Sequence, residues 1–225
     1  VLEPLASSYS VLDENEKELG VALIDIGGGT TDILVHYDGG IMHSAAIPQA
    51  GKNLTYDIAH RFKTTMEQAE ELKKRYGISK TALATNEKIT IKGVKGRESV
   101  EINQKDLAEV IEPRMVEILT KSLEQIKKSN VAHKLNFGVV ITGGGSQLKS
   151  LIDLSQEIFN MHVRIGYPEI IDSEVSQYKN NPRYATAFGI VQYASSCKVD
   201  DFTSNAEFSV MKKFKKLINK LTNWY

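Results

Sequence analysis

Two runs of three glycines are the residues of this sequence best suited to chemistry, because each run ends an apolar stretch typical of a buried strand. Successive glycine amides can form a concave surface for phosphate oxygens, since no side chain blocks the approach. Asp25 precedes the first run and could hold a water molecule of a Mg²⁺ ion, while Thr30 and Thr31 add hydroxyl donors. The runs are Gly27, Gly28 and Gly29 and then Gly143, Gly144 and Gly145, and together they predict one site for nucleotide phosphates.

The residues after each glycine run distinguish between kinds of phosphate site. The first run leads into a predicted strand, which excludes the P-loop and the dinucleotide fingerprint because both motifs continue as a helix. The second run is followed by Ser146, which we expect to cap a helix that ends at Phe159. Its amides could therefore meet a phosphate or the edge of an adenosine. A glycine-rich turn without a ligand is the alternative for either run taken alone.

Strand and helix patterns predict an α/β fold around these loops. Apolar residues at successive or alternate positions predict strands, and apolar residues three or four apart predict helices. The predicted strands are 21–26, 33–37, 41–48, 137–142 and 162–165, with a small exposed sheet within 78–103. The predicted helices are 51–62, 66–76, 106–128 and 183–195, and we expect Pro113 to kink or restart the third of them.

Composition limits what the chain can do. Lys and Arg number 28 and Asp and Glu also number 28, so we expect no nucleic-acid partner. Cys197 is the single cysteine, which indicates a reducing compartment without a structural metal. His36 and His43 could face each other across a predicted hairpin, but a metal site needs more ligands. The apolar stretches are too short to span a membrane, and because the chain does not begin with Met we expect a piece of a longer protein.

The carboxyl-terminal residues have a different pattern. Residues 196–209 are polar and predict a linker, and residues 210–225 predict an amphipathic helix. We expect this helix to lie in an anionic membrane surface. Its apolar side carries Met211, Phe214, Leu217, Ile218, Leu221 and Trp224, and its basic side carries Lys212, Lys213, Lys215, Lys216 and Lys220. A helix docked on its own domain and a calmodulin-type target helix are the alternatives.

Several separate segments resemble the actin and heat-shock-chaperone ATPase superfamily. Residues 25–32 resemble its second phosphate loop, residues 140–148 its adenosine motif, and residues 50–55 the segment with which actin enters its upper subdomain. Within the superfamily, the chain is most similar to the FtsA family of bacterial cell-division proteins. The segments that carry this second resemblance are 2–9, 108–114, 163–166 and 184–189.

The resemblance implies an actin-like, ribonuclease H-like ATPase fold of which this chain supplies the second half. Residues 1–50 and 113–195 would form the lower subdomain, and residues 51–112 the upper one. ATP and Mg²⁺ are the implied cofactors. The implied site adds Gln147 in the adenosine loop, Glu70 and Lys73 against the ribose and base, and Glu3 in the place of the residue that orients the attacking water. A surface ion pair is the alternative for Glu70 and Lys73.

The function implied by the family is that of an adaptor in cell division. Such a protein binds ATP, polymerises, and ties the FtsZ ring to the cytoplasmic face of the inner membrane at the septum. The resemblance places its contact with the FtsZ carboxyl-terminal peptide within residues 51–112. It implies weak ATP hydrolysis at most, and weak binding by this half alone, because the first phosphate loop has no counterpart here. An active ATPase or kinase and an MreB-like shape protein are the alternatives.

Overall fold

The apolar run at residues 21–26 becomes the central strand of a five-stranded sheet. In the computed structural model, which describes residues 2–196 except 94, 95, 97, 170–177 and 179, all six residues of this strand are buried. A strand that is covered on both faces needs apolar side chains on both, and this explains why the run is continuous. Its one charged residue, Asp25, therefore requires a specific environment.

The strands confirm the predicted order of elements. The large sheet runs β3-β2-β1-β6-β7, in which β1 is antiparallel to β2 and parallel to β6, while β4 and β5 form a separate antiparallel pair. The first three strands form the predicted meander. The strands are β1 Val21–Ile26, β2 Thr31–Tyr37, β3 Gly40–Ile47, β4 Lys88–Ile91, β5 Val100–Asn103, β6 Val139–Thr142 and β7 Val163–Ile165.

The helices include two at the amino terminus that the sequence analysis does not define. The first of these buries Ser7, Ser8 and Ser10, so polar residues hide the apolar stripe that usually marks a helix. The second begins with a capping box at Asp13. The helices are α1 Glu3–Val11, α2 Glu14–Leu19, α3 Gly51–Phe62, α4 Met66–Tyr76, α5 Gln104–Lys128, α6 Leu151–Phe159 and α7 Ala185–Ser196.

Two helix starts differ from the expected ones. Of the kink or restart expected at Pro113, the restart does not occur, because α5 continues through Pro113 as one helix of 25 residues, and the kink stays a prediction. Burial of one face of α5 offsets the hydrogen bond that proline cannot donate. Ser146 does not cap α6 either: it lies in the short 3-10 helix Gly144–Gln147, and its hydroxyl donates to the carbonyl oxygen of Gly143 at 2.7 Å. The helix starts only at Leu151.

Residues 1–190 form one compact unit, and residues 191–225 form a second, of which the structure describes the last turns of α7. In the first unit, Ile24 on one face of β1 and Leu23 on the other belong to separate buried clusters, so the sheet has a core on each side. The linker beyond residue 196 and the amphipathic helix at 210–225 lie outside the described residues. Over the ranges that are described, no helix is long and apolar enough to cross a membrane.

Candidate functional site

The two glycine runs meet at one edge of the sheet. β1 and β6 are parallel neighbours with Asp25 opposite Thr142, so the loops that follow them leave the sheet side by side. A Cβ on Gly143 would lie 2.2 Å from Oδ1 of Asp25, and a Cβ on Gly145 would lie 2.4 Å from Cγ2 of Ile26. Real side chains do not approach other atoms so closely. Only glycine therefore allows the second loop to pack against the end of β1.

The first glycine loop presents amide groups to open space. The N–H of Gly27 donates to the carbonyl oxygen of Thr30 at 3.0 Å, which closes the turn. Gly28 and Gly29 are exposed, and within the described part of the chain no acceptor takes their N–H groups. A Cβ on Gly29 would meet no atom within 4 Å. Packing does not explain these two glycines, whereas a phosphate group that approaches the backbone would.

The start of α3 is attached to the same loop. The N–H of Gly51 donates to the carbonyl oxygen of Gly27 at 3.1 Å, and the N–H of Lys52 donates to that of Gly28 at 2.8 Å. Cε of Lys52 lies 3.9 Å from the Cβ position of Gly28. The first turn of α3 and the side chain of Lys52 therefore border the exposed glycines.

Asp25 is buried beneath the two loops. Its Oδ2 accepts hydrogen bonds from the hydroxyl of Ser7 at 2.5 Å and from that of Thr186 at 3.1 Å. Burial raises the pKa of Asp25; the two hydroxyl donors oppose that effect, and the negative charges of Asp32 and Glu3 add to it. The carboxyl group thus connects α1, β1 and α7 directly behind the glycine loops.

Two further carboxylates lie close enough to Asp25 to influence it. Burial raises the pKa of Asp32; a hydrogen bond from the hydroxyl of Thr30 at 3.1 Å lowers it in part, and the charge of Glu3 raises it again. Glu3 itself is exposed in the first turn of α1. Glu3 thus acts electrostatically on Asp25 and on Asp32, and Asp32 is a residue that the sequence pattern did not indicate.

These carboxylates fit a cation that keeps most of its water molecules. Among the described residues, no group of three or more His, Cys, Asp or Glu side chains could hold a metal ion. Mg²⁺ is usually bound through one or two carboxylates, waters and substrate phosphates. The role of Asp25 in holding a water molecule of Mg²⁺ stays a prediction.

The predicted donors of the two loops differ in their environment. Thr31 is fully buried and its hydroxyl donates to the carbonyl oxygen of Gln49 at 2.7 Å, so the prediction that it donates to a phosphate is wrong. Its proton is already used where β2 meets the segment before α3. Thr30 and Gln147 remain exposed beside the first and second glycine runs.

Lys73 and Glu70 meet at the start of α3. The ammonium group of Lys73 donates to Oε2 of Glu70 at 2.6 Å, to the hydroxyl oxygen of Thr55 at 2.8 Å and to the carbonyl oxygen of Gly51 at 2.9 Å. Burial alone would raise the pKa of Glu70, but hydrogen bonds from Lys73 and Thr55 outweigh it and lower that pKa. An ammonium group has three N–H donors, and here all three are used. Lys73 therefore holds α4 against α3, while Oε1 of Glu70 lies 3.4 Å from the ammonium group of the half-exposed Lys74.

The two histidines do not share a site. Val35 pairs with His43 and His36 pairs with Ile41, and successive residues of a strand point to opposite faces. His36 and His43 therefore lie on opposite sides of the sheet. Burial, with a smaller contribution from the charge of Lys17, lowers the pKa of His36 to about 4.

Ser7, Thr186 and Thr55 are site residues that sequence reasoning missed. Each donates a hydroxyl proton to a carboxylate that is distant in sequence or on another helix. Ser7 and Thr186 fall in segments that resemble the FtsA family, and this was the signal available. Their pairing with Asp25 depends on how α1 and α7 pack against β1, which no local pattern describes.

Comparison with known proteins shows what the chain resembles in sequence. The family model described as "Cell division protein FtsA" matches residues 22–189. FtsA of Pseudomonas aeruginosa is 39% identical to the chain and covers all of it, and FtsA of Escherichia coli K12 is 37% identical and covers 98%. In both cases 54% of the relative is matched, so the chain spans about half the length of these curated relatives.

Solved structures of low sequence identity share the fold. MreB5 of Spiroplasma citri bound to ADP superimposes with a TM-score of 0.72 at 19% identity, covering 90% of this chain and 62% of that one. The same protein bound to AMPPNP gives 0.73 at 21%, covering 88% and 59%. The chain therefore has the actin-like α/β fold that the sequence predicted.

Proposed function

This chain belongs to the FtsA family of cell division proteins, and from that premise we propose that its paired glycine loops bind ATP with Mg²⁺. The full-length protein would polymerise and anchor the FtsZ ring to the cytoplasmic face of the inner membrane at the division septum. Bound nucleotide would control assembly, and little of it would be hydrolysed. The proposal keeps residues 1–50 and 113–195 as the lower subdomain and 51–112 as the upper one, although α5 runs unbroken across residue 113.

The observation that carries the nucleotide proposal is the pairing of Asp25 with Thr142, which brings both glycine runs to one edge. The amides of Gly28 and Gly29 would bind phosphate oxygens, and the loop that contains Gln147 would face the adenosine. Glu70 would accept a ribose hydroxyl at Oε1, the oxygen that also lies 3.4 Å from Nζ of Lys74. Mg²⁺, when bound, would offset charge on the phosphates, and Asp25 would orient one of its water molecules.

Glycine-to-alanine substitutions test nucleotide binding without a steric effect on the fold. In the full-length protein, Gly29→Ala adds a methyl group in open space, so stability is retained while the methyl group enters the volume of the phosphate. We expect ATP affinity to fall at least about tenfold, which is about 1.4 kcal/mol. Gly40→Ala is the matched control, because Gly40 is the first residue of β3 and its Cβ would make an ordinary 3.7 Å contact with the carbonyl oxygen of Tyr37. Equal affinity in both variants, measured by calorimetric titration, would contradict the proposal.

An active ATPase is the second candidate, and it is supported by the position of Glu3. Its exposed carboxylate acts electrostatically on Asp25 and Asp32, so it lies near the place where an attacking water would be oriented. Sustained phosphate release by the full-length protein, lost in Glu3→Gln, would favour this candidate. Release that stops after one turnover would favour the assembly role.

The membrane and FtsZ contacts are proposed from the family and the sequence pattern. Residues 210–225 would bind anionic lipid through the apolar and basic sides of an amphipathic helix. Co-sedimentation of the full-length protein with anionic liposomes tests this, and deletion of 210–225 should abolish it. Binding of the FtsZ carboxyl-terminal peptide is expected to survive that deletion, because its site is proposed within residues 51–112.

A further inference from the structure

We infer that Lys52 is the cation of this chain that contacts the nucleotide phosphates. The inference deepens the proposed function and rests on it, since it names a further binding residue of the same site. It follows from which lysine has N–H groups left to donate and from which one borders the exposed glycines.

Lys73 cannot be this cation without breaking existing bonds. Its three N–H donors are used by Glu70, Thr55 and Gly51, and its side chain is only 15% exposed. A phosphate would have to displace a carboxylate at 2.6 Å, which is itself a charge-assisted hydrogen bond. Lys73 is therefore a positioning residue: it fixes the carbonyl group of Gly51, while the N–H of Gly51 holds Gly27.

Lys52 differs from Lys73 in its exposure and in its ion pairs. It is exposed, and among the described residues no carboxylate forms an ion pair with it. Its own N–H donates to the carbonyl oxygen of Gly28, which anchors its backbone to the loop. Its Cε lies 3.9 Å from the Cβ position of Gly28, and Nζ is one bond further along a flexible side chain. A lysine ammonium on such a side chain is a common partner of phosphate.

The charges around the loop give Lys52 a physical role. Glu3, Asp25 and Asp32 act on one another electrostatically at this edge, and ATP brings further negative charge to it. A cation that no carboxylate already neutralises reduces this repulsion directly. Lys52 supplies such a charge at the side of the loop where α3 begins.

The test separates phosphate contact from a structural role. In the full-length protein, ATP and adenosine are titrated in turn against the wild type, Lys52→Gln and Lys52→Arg, with Lys127→Gln as a control on the exposed last turn of α5. We expect Lys52→Gln to weaken ATP binding about tenfold and to leave adenosine binding within about twofold, because adenosine has no phosphate. Lys52→Arg should bind ATP within about threefold of the wild type, since it keeps the charge.

Three results would overturn the inference. Equal losses for ATP and adenosine would indicate that Lys52 supports the fold of the loop, and unchanged ATP binding in Lys52→Gln would indicate a solvated lysine. Failure of Lys52→Arg to retain binding would show that charge is not what matters. If the wild type itself does not bind ATP, the proposed function fails as well, and this outcome is distinct from wild-type binding that is insensitive to Lys52.

Discussion

Adjacent glycines of the second run should respond in opposite ways to the same substitution. Gly143 has φ 82° and its Cβ would lie 2.2 Å from Oδ1 of Asp25 and 2.6 Å from the carbonyl oxygen of Ile26. The Cβ of Gly144 would make one ordinary contact, 3.9 Å from Cγ of Arg183, and its φ lies outside the left-handed region. Gly143→Ala therefore introduces backbone strain and atomic overlap, whereas Gly144→Ala adds a methyl group where there is space for it.

The expected magnitude follows from these two differences. A left-handed backbone costs a residue with a Cβ roughly 1–2 kcal/mol, and overpacking adds about 1–3 kcal/mol. Gly143→Ala should therefore lower the free energy of unfolding by roughly 2–5 kcal/mol. Gly144→Ala should change it by less than about 1 kcal/mol, and in the stabilising direction if the loop keeps its backbone, because alanine reduces the entropy of the unfolded chain.

Urea denaturation of the full-length variants, followed by circular dichroism, measures both changes. With an m value of about 3 kcal/mol/M, a loss of 3 kcal/mol lowers the midpoint by roughly 1 M. ATP titration adds a second readout, because the methyl group of Gly144→Ala faces the proposed ligand space and should weaken binding without loss of stability. Equal urea midpoints for the two variants would refute the argument that the second loop packs against Asp25 and Ile26.

Three other predictions test the remaining charged groups. The pKa of His36 is about 4 in the folded protein and near 6.5 in the unfolded chain. The neutral imidazole therefore contributes about 3 kcal/mol to the free energy of unfolding above pH 6.5, and this contribution is lost as the pH falls to 4. His36→Phe should remove this pH dependence from urea titrations. Arg164→Met leaves Glu16, which is 4% exposed, without its ion-pair partner and should cost about 3 kcal/mol, whereas Arg75→Met in an exposed pair should cost under about 1 kcal/mol by the same assay. Lys73→Met should weaken binding of both ATP and adenosine, because it releases the start of α3 and removes one of the partners of Glu70. An effect on ATP alone would assign Lys73 to the phosphates instead.

Local sequence patterns predicted the strands and the convergence of the glycine loops. A strand that is buried on both faces must be apolar throughout, so residues 21–26 and 139–142 are recognisable from side-chain type alone. Three glycines after each strand permit the turns that follow. The register Asp25 to Thr142 then needs only that β1 and β6 are parallel neighbours.

Patterns that depend on local sequence alone gave wrong results where packing decides the outcome. Ser146 has the properties of a helix cap, yet its hydroxyl donates within the turn that starts at Gly143. Thr31 has the properties of a phosphate donor, yet the pairing of β2 and the path toward α3 bury it against Gln49. Pro113 is a helix breaker by propensity, but the buried face of α5 keeps the helix intact.

The sequence by itself determined the α/β architecture and the positions of the two glycine loops, because both depend on residue types at short, regular spacing, and its separate motifs carried the resemblance to the FtsA family. Only the tertiary structure decided what the polar side chains do. Ser7, Asp25 and Thr186 come from three separate elements, and a hydrogen bond forms only when packing brings its donor and acceptor within about 3 Å. Packing also gives each N–H of the Lys73 ammonium group an acceptor, whereas it leaves the Lys52 side chain beside Gly28 without an ion pair among the described residues.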